Sequence, residues 1–151
     1  SNTQPRESSI WLNNEGKFIL GRKPEREKTK EAMNGFQLIT KEGEIIVSPD
    51  NSIHPRTAIG TNENGSVMWL VIVDGRQKGY SEGMNLHELA SLMIKLGCWN
   101  STNMDGGGSS VMGMTGTNGK MRLMNSPSDR SLGMKRIRPL PMILTIEKKP
   151  H

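Results

Sequence analysis

The chain has 151 residues, 33% of them apolar, with 17 glycines and a formal net charge of +5; this suits one domain with an ordinary core and long glycine-rich loops. A single cysteine excludes an intrachain disulfide and a cysteine-built zinc site, and no run reaches the roughly 18 apolar residues that a membrane helix needs. The basic balance favours anionic ligands, but one Tyr and two Phe offer no stacking platform for single-stranded nucleic acid.

In chain order, Ile10-Trp11-Leu12 and Phe18-Ile19-Leu20 flank Asn13-Asn14-Glu15-Gly16 and predict a β-hairpin. From Arg22 to Glu31 the charges alternate in sign, as on a solvated helix or loop face. Phe36 to Ile39 and Glu44 to Val47 repeat the hairpin pattern around Lys41-Glu42-Gly43, and Ser48 to His54 is a polar loop. Pro55 to Gly60 leads to Val67–Val73, an apolar, β-branched run that predicts a buried strand ending in Asp74-Gly75-Arg76. Leu86, Leu89, Ala90, Met93, Ile94 and Leu96 then fall at helical spacing, with Asn85 as N-cap, Glu88 three residues on, and Gly97 as the stop.

Cys98 to Met104 predicts a further strand, with Cys98 a small buried hydrophobe rather than a nucleophile. Ser110-Val111-Met112 and Lys120 to Met124 flank a turn at Asn118-Gly119, and Asn125 to Met134 reads as a polar loop. Lys135-Arg136-Ile137-Arg138 is the only compact basic cluster, and Leu140 to Ile146 predicts a closing strand with an edge or irregular start at Pro141. Met112, Met114, Met121 and Met124 are read as core filling rather than a soft binding wall. The expected fold is α+β, a twisted mixed β-sheet with few helices, forming a single domain over residues 1–151.

The segment that packing does not explain is Asn103-Met104-Asp105-Gly106-Gly107-Gly108-Ser109-Ser110. Each glycine inside a regular element costs roughly 0.5–1 kcal/mol relative to alanine. Three together let a backbone turn sharply, approach a ligand closely and aim amide N–H groups into one space. In the order strand, Asp-Gly-Arg, helix, strand, Asp-Gly-Gly-Gly-Ser-Ser, both acidic motifs project from the carboxyl ends of strands at one edge. Asp74-Gly75 also reads as a plain turn, Arg56 as a structural ion-pair partner, and His54 and His87 as incidental. Asp74 and Asp105 together leave Ca²⁺ or Mg²⁺ binding open.

Three blocks in order, His54-Pro55-Arg56-Thr57-Ala58-Ile59-Gly60, Val73-Asp74-Gly75-Arg76-Gln77 through Gly83-Met84, and Asn103 to Ser110, resemble the phosphodiester glycosidase domain family, which includes the uncovering enzyme of the lysosomal pathway and bacterial relatives. Asn125-Ser126-Pro127-Ser128 and the Arg138-Pro139 to Leu144 stretch look like the family's final loop and strand, so the resemblance runs from about Phe36 to Ile146. Met104 stands where leucine is usual. The family's longer N-terminal part, with its Asn-Gly-Phe-Phe-like segment, has no counterpart; Asn34-Gly35-Phe36 is only superficially similar. The expectation is therefore a chain lacking that part and packing against the missing segment or a second copy.

The resemblance implies a hydrolase that breaks the sugar C1–O bond of a glycosyl phosphodiester through an oxocarbenium-like transition state with a departing phosphate. Arg56 and Arg76 would hold the phosphate through bidentate forks. Asp105 and Asp74 would be the catalytic carboxylates, and Thr57, Gly106, Gly107, Gly108, Ser109 and Ser110 the substrate-binding set. No cofactor is required, no metal ligands are assigned, and the expected location is extracellular, periplasmic or at the cell surface. The alternative is a non-catalytic glycan- or phosphoglycan-binding module on the same scaffold.

Overall fold

Alternation along the strands sorts the apolar residues onto two sheets that share a core, as seen in a computed structural model describing residues 8–22, 24, 26–141 and 143–147. β1 (Ser8–Asn13) and β2 (Phe18–Gly21) form the expected hairpin. The Asn13 side-chain oxygen accepts from the Glu15 and Lys17 amides and fixes its turn. β3 (Thr29–Gly35) lies on the other side of β1, giving the order β2-β1-β3. Its start corrects the helix-or-loop expectation for the alternating charges. Lys30 and Glu31 are exposed there and Met33 packs against the core of the smaller sheet, whereas Arg26–Lys28 just before it form a 3₁₀ turn that agrees with the expectation.

The larger sheet contains β4 (Gln37–Lys41), β5 (Glu44–Ile45), β6 (Arg56–Thr61), β7 (Met68–Val73) and β8 (Asn100–Asn103), in the order β5-β4-β8-β6-β7. Every neighbouring pair is antiparallel. On β6, Ala58 faces α1 (Leu86–Lys95) and meets Leu89, Ala90 and Met93, while Ile59 faces the smaller sheet and meets Ile10 and Leu20. Buried hydroxyls pair across the layers, Ser8 with Thr102, and between neighbouring strands of the larger sheet, Thr40 with Ser101 at 2.6 Å. The Asn85 side chain accepts from the Glu88 amide and Glu88 accepts from the Asn85 amide, completing the predicted capping box. Cys98 is buried, which pushes its thiol up to about 11.

The topology sets the location of the site. β7 and β8 run in the same direction, joined through α1, but β6 lies antiparallel between them. Registers Arg56↔Val73 and Ala58↔Asn103 bring the start of β6 to the same edge as the ends of β7 and β8. Three consequences differ from expectation. The Val67–Val73 run forms an edge strand with Leu70 37% exposed, not a buried one. The strand expected at Ser110–Met112 begins instead at Gly113, as β9 (Gly113–Thr115) pairing with β10 (Met121–Leu123), because Asn125 occupies the Met112 amide. Within the expected loop lies a small hairpin, β11 (Arg130–Ser131) with β12 (Met134–Lys135).

The expected closing strand is absent from the described part of Leu140–Ile146; Met142 lies outside the described residues, and Ile143, Leu144 and Ile146 are exposed. A strand needs ladder partners for its amides, and this segment has no strand pairing. Met114, Met121 and Met124 are likewise exposed and fill no core. Among the described residues no helix is long and apolar enough to cross a membrane.

Gly60 sits where sheet and helix touch most closely: an added Cβ would overlap Cys98 Sγ and lie 2.7 Å from Met93 Cε. Gly60→Ala should therefore lower stability by about 1–3 kcal/mol through overpacking, read as a fall in the urea midpoint without a change in slope.

Candidate active site

At the edge where β6 begins and β7 and β8 end, the chain turns back through Asp105 into a 3₁₀ turn, Gly107–Ser109. The three glycines are necessary because three other segments press against this backbone. A Cβ on Gly106 would lie 2.8 Å from the Pro55 carbonyl oxygen. One on Gly107, whose φ is +62°, would lie 3.0 Å from Arg76 Nη1. One on Gly108 would overlap Asp129 Oδ1 and Arg138 Nη2. The Gly107 amide donates to the Pro55 carbonyl at 3.0 Å, the Ser109 amide to Gly106 and the Ser110 amide to Gly107. The expected anion cradle of backbone N–H groups is thus reduced: the Gly107 and Ser109 amides are engaged within the protein, and the close approach serves side chains of the chain itself.

Arg56 and Arg76 come together at this turn. Arg56 donates through Nε to the Met84 carbonyl at 2.8 Å and through Nη2 to the Ser52 carbonyl at 2.5 Å. Burial lowers its pKa first, Asp50 opposes that shift, and the neighbouring Arg76 charge adds to it. Arg76 has a left-handed backbone, φ 55°, uncommon for a residue with a Cβ; such conformations concentrate at functional sites. Its amide donates to the Glu82 carbonyl, and its Nη2 lies 3.4 Å from His54 Nδ1. His54, expected to be incidental, contacts the site.

The two carboxylates expected to act together have different environments. The Asp74 carboxylate accepts from Tyr80 Oη at 3.0 Å, Asn125 Nδ2 at 2.9 Å and the Ser126 amide at 2.9 and 3.0 Å. The hydrogen bond to Asp74, and then the Asp74 charge, hold the Tyr80 phenol above its usual pKa. Asn125 Nδ2 also donates to the Ser110 carbonyl, so Asp74 ties the hairpin after the glycine turn to the end of β7. Thr57 and Ser110 hydroxyls bond to each other at 3.2 Å, with Ser110 buried.

Asp105 is exposed instead and lines a cleft of about 370 Å³ with Phe36, Gln37, Arg56, Leu86, Asn103, Met104 and Gly106. Asn103 Oδ1 is buried in that wall without a partner among the described residues, a state that costs about 1–3 kcal/mol unless a donor arrives. A larger cavity of about 540 Å³ lies beyond the opposite edge of the sheet, lined by Gly43, Asn62–Asn64, Ile94 and Gly97–Trp99. Its one charged lining group is Glu63, which does not suit an anion.

Of the sequence-derived set, Arg56, Asp105 and Gly106 line the cleft; the exposed Arg76 lies against Gly107 at the turn beside it, with Gly107 and Gly108 buried; Asp74, Thr57 and Ser110 belong to the adjoining network. Sequence reasoning missed Asp129 and Arg138. Arg138 donates through Nε and Nη2 to Asp129 at 2.6 and 2.8 Å. That hydrogen bond holds the Asp129 carboxyl below the usual range, and the Arg138 pKa is raised by Asp129 and then by Asp105. The pair therefore persists at neutral pH and is lost only as pH falls through the depressed Asp129 pKa. Asn125 carried a usable signal in its place directly after a strand and before Ser126-Pro127. Among the described residues no group of three or more His, Cys, Asp or Glu side chains could hold a metal ion.

This constellation lies on a fold seen before. The phosphodiester glycosidase family model matches residues 1–147, and the chain belongs to that family. The N-acetylglucosamine-1-phosphodiester alpha-N-acetylglucosaminidase of Bos taurus is 38% identical over 79 residues, 52% of this chain and 14% of the bovine protein. The SPbeta prophage-derived uncharacterized protein YomE of Bacillus subtilis is 39% identical over 66 residues, 44% of this chain and 10% of YomE. Among solved structures, the zebrafish N-acetylglucosamine-1-phosphodiester alpha-N-acetylglucosaminidase catalytic domain, auto-inhibited by its pro-peptide, matches with a TM-score of 0.68 at 24% identity, over 87% of this chain and 48% of that one. The match bears out an α+β fold with few helices. The chain spans under half of the zebrafish chain and a small fraction of the curated relatives.

The glycine turn can be tested directly. Gly108→Ala should displace the Asp129–Arg138 pair while leaving the sheet intact. The expected result is native far-UV circular dichroism with altered Arg138 side-chain resonances by NMR; an unmoved Arg138 signal would contradict this packing.

Proposed function

We propose that the protein is a hydrolase that cleaves a glycosyl phosphodiester at the sugar C1–O bond. The observation that carries this reading is the exposed Asp105 carboxylate, with no hydrogen bond or salt bridge among the described residues, lining a cleft with Arg56 in a member of the phosphodiester glycosidase family. The relatives named N-acetylglucosamine-1-phosphodiester alpha-N-acetylglucosaminidase support an α-linked N-acetylglucosamine as the sugar. As the C1–O bond breaks, its electron pair leaves with the phosphate and positive charge develops on C1. Arg56, partly desolvated in the cleft wall, and the exposed Arg76 beside Gly107 stabilise the departing anion. Asp105 faces the cationic sugar, and water supplies the oxygen that bonds C1. A phosphate is a good leaving group, so a strong general acid is not required.

Asp74 enters this reading as a positioning group, since four hydrogen bonds commit its carboxylate to Tyr80, Asn125 and Ser126. The mechanism calls on no cofactor. The proposal includes action outside the cytoplasm, and a further polypeptide covering the exposed Ile143, Leu144 and Ile146, either the family's N-terminal segment or a second copy.

Incubation with UDP-N-acetylglucosamine should release free sugar, and release should persist when divalent cations are chelated. Asp105→Asn, nearly equal in volume, should reduce turnover by at least about 10²-fold while leaving the melting temperature unchanged. Full activity in that variant would remove Asp105 from the chemistry. Arg56→Lys should raise KM more than it lowers kcat, because a lysine cannot keep both the Met84 and Ser52 carbonyl contacts that fix the guanidinium in the cleft wall; an unchanged KM would count against phosphate recognition by Arg56.

A further inference from the structure

Charge is distributed unevenly along this chain, and the asymmetry begins at the proposed site. Residues 106–141 carry Lys120, Arg122, Arg130, Lys135, Arg136 and Arg138 against the single carboxylate of Asp129, a surplus equal to the +5 of the whole chain. All six cations are exposed. Only Arg138 takes part in a salt bridge among the described residues, to Asp129. Arg130 donates to neutral acceptors, the Pro127 and Asp129 carbonyls and Gln77 Oε1. In the β11–β12 hairpin Arg130 lies directly opposite Lys135, and like charges facing each other across a ladder are destabilising. A hairpin of two-residue strands with that arrangement gains when an anion lies against it.

The strip is fastened to the cleft. The Arg136 amide donates to the Asp129 carbonyl at 2.9 Å, Arg138 grips the Asp129 side chain, and that pair abuts Gly108. Arg130 reaches Gln77, whose Nε2 donates to the Ser126 carbonyl beside Asp74. The β9–β10 hairpin carrying Lys120 and Arg122 is held to the same point through Asn125, which accepts from the Met112 amide and donates to Ser110 and Asp74. Cations therefore continue outward from the glycine turn on two short hairpins.

We propose that the substrate is a polyanionic glycan, a chain in which further phosphates flank the linkage being cleaved and lie along this strip. The inference rests on the hydrolase reading above and deepens it by naming the substrate class. Leu132 and Met134, 96% and 70% exposed on the β11–β12 hairpin, also suit an anionic membrane surface. Continuity of the strip with Arg138 and the cleft favours the polymer.

Linear polyphosphate carrying a fluorescent label serves as the probe, with orthophosphate, phosphatidylglycerol vesicles and UDP-N-acetylglucosamine turnover measured in parallel. If about four phosphates are neutralised, polyphosphate affinity should fall roughly 50-fold between about 50 and 200 mM salt. The variant K120Q/R122Q/K135Q/R136Q should lose most of that affinity and its salt dependence, yet keep the kcat and KM of the small substrate. Undiminished polyphosphate binding by the variant would overturn the proposal, as would binding to vesicles with none to polyphosphate. Strip-dependent polyphosphate binding without sugar release would uphold the polyanion surface and refute the hydrolase reading, so the two failures are distinguishable.

Discussion

Everything at the site depends on one steric allowance: the backbone at Gly106, Gly107 and Gly108 has no side chains, so three distant segments can touch it. The Pro55 carbonyl, the Arg76 guanidinium and the Asp129–Arg138 pair each occupy space that a Cβ would fill. Glycine's conformational cost is offset here by the approach it permits. Arginines from the start of β6, from the loop after β7 and from the C-terminal segment are thereby gathered around one turn. Asp105, immediately before that turn, is left exposed in the cleft with no hydrogen bond or salt bridge among the described residues.

The sheet supplies the other half of the placement. A βαβ pattern indicates that two strands share a direction but not what lies between them. Inserting β6 antiparallel between β7 and β8 keeps both acidic motifs at one edge and adds Arg56 to it. Placement of the motifs at a common edge was therefore legible from the sequence, although the strand order was not. The same holds for α1, whose capping box and apolar spacing are local signals. β3 was hidden because its Lys30 and Glu31 are both exposed, and charge at exposed positions looks the same in a strand as in a loop. The Leu140–Ile146 run misled in the opposite way: its apolar content suggests a strand, but among the described residues it pairs with no other strand.

Long-range polar pairing was the least legible layer. Asp74 with Asn125 and Asp129 with Arg138 meet only because the chain after the glycine turn folds back over the end of β7. No local pattern distinguishes an aspartate that pins a loop from one that faces a ligand. Two aspartates in similar motifs, each followed by glycine, thus have different surroundings. Asp74 is fully engaged by donors, and Asp105 is exposed beside Arg56. The proposed division between a positioning and a reacting carboxylate rests on that difference.

A crystal structure with N-acetylglucosamine-1-phosphate bound tests this division of labour most directly. The account predicts the phosphate held by the Arg56 and Arg76 guanidinium groups, the anomeric carbon facing Asp105, and the Asp74 hydrogen bonds to Asn125 and Ser126 unchanged. A ligand whose anomeric carbon faces Asp74, or one seated in the cavity beside Trp99, would contradict it.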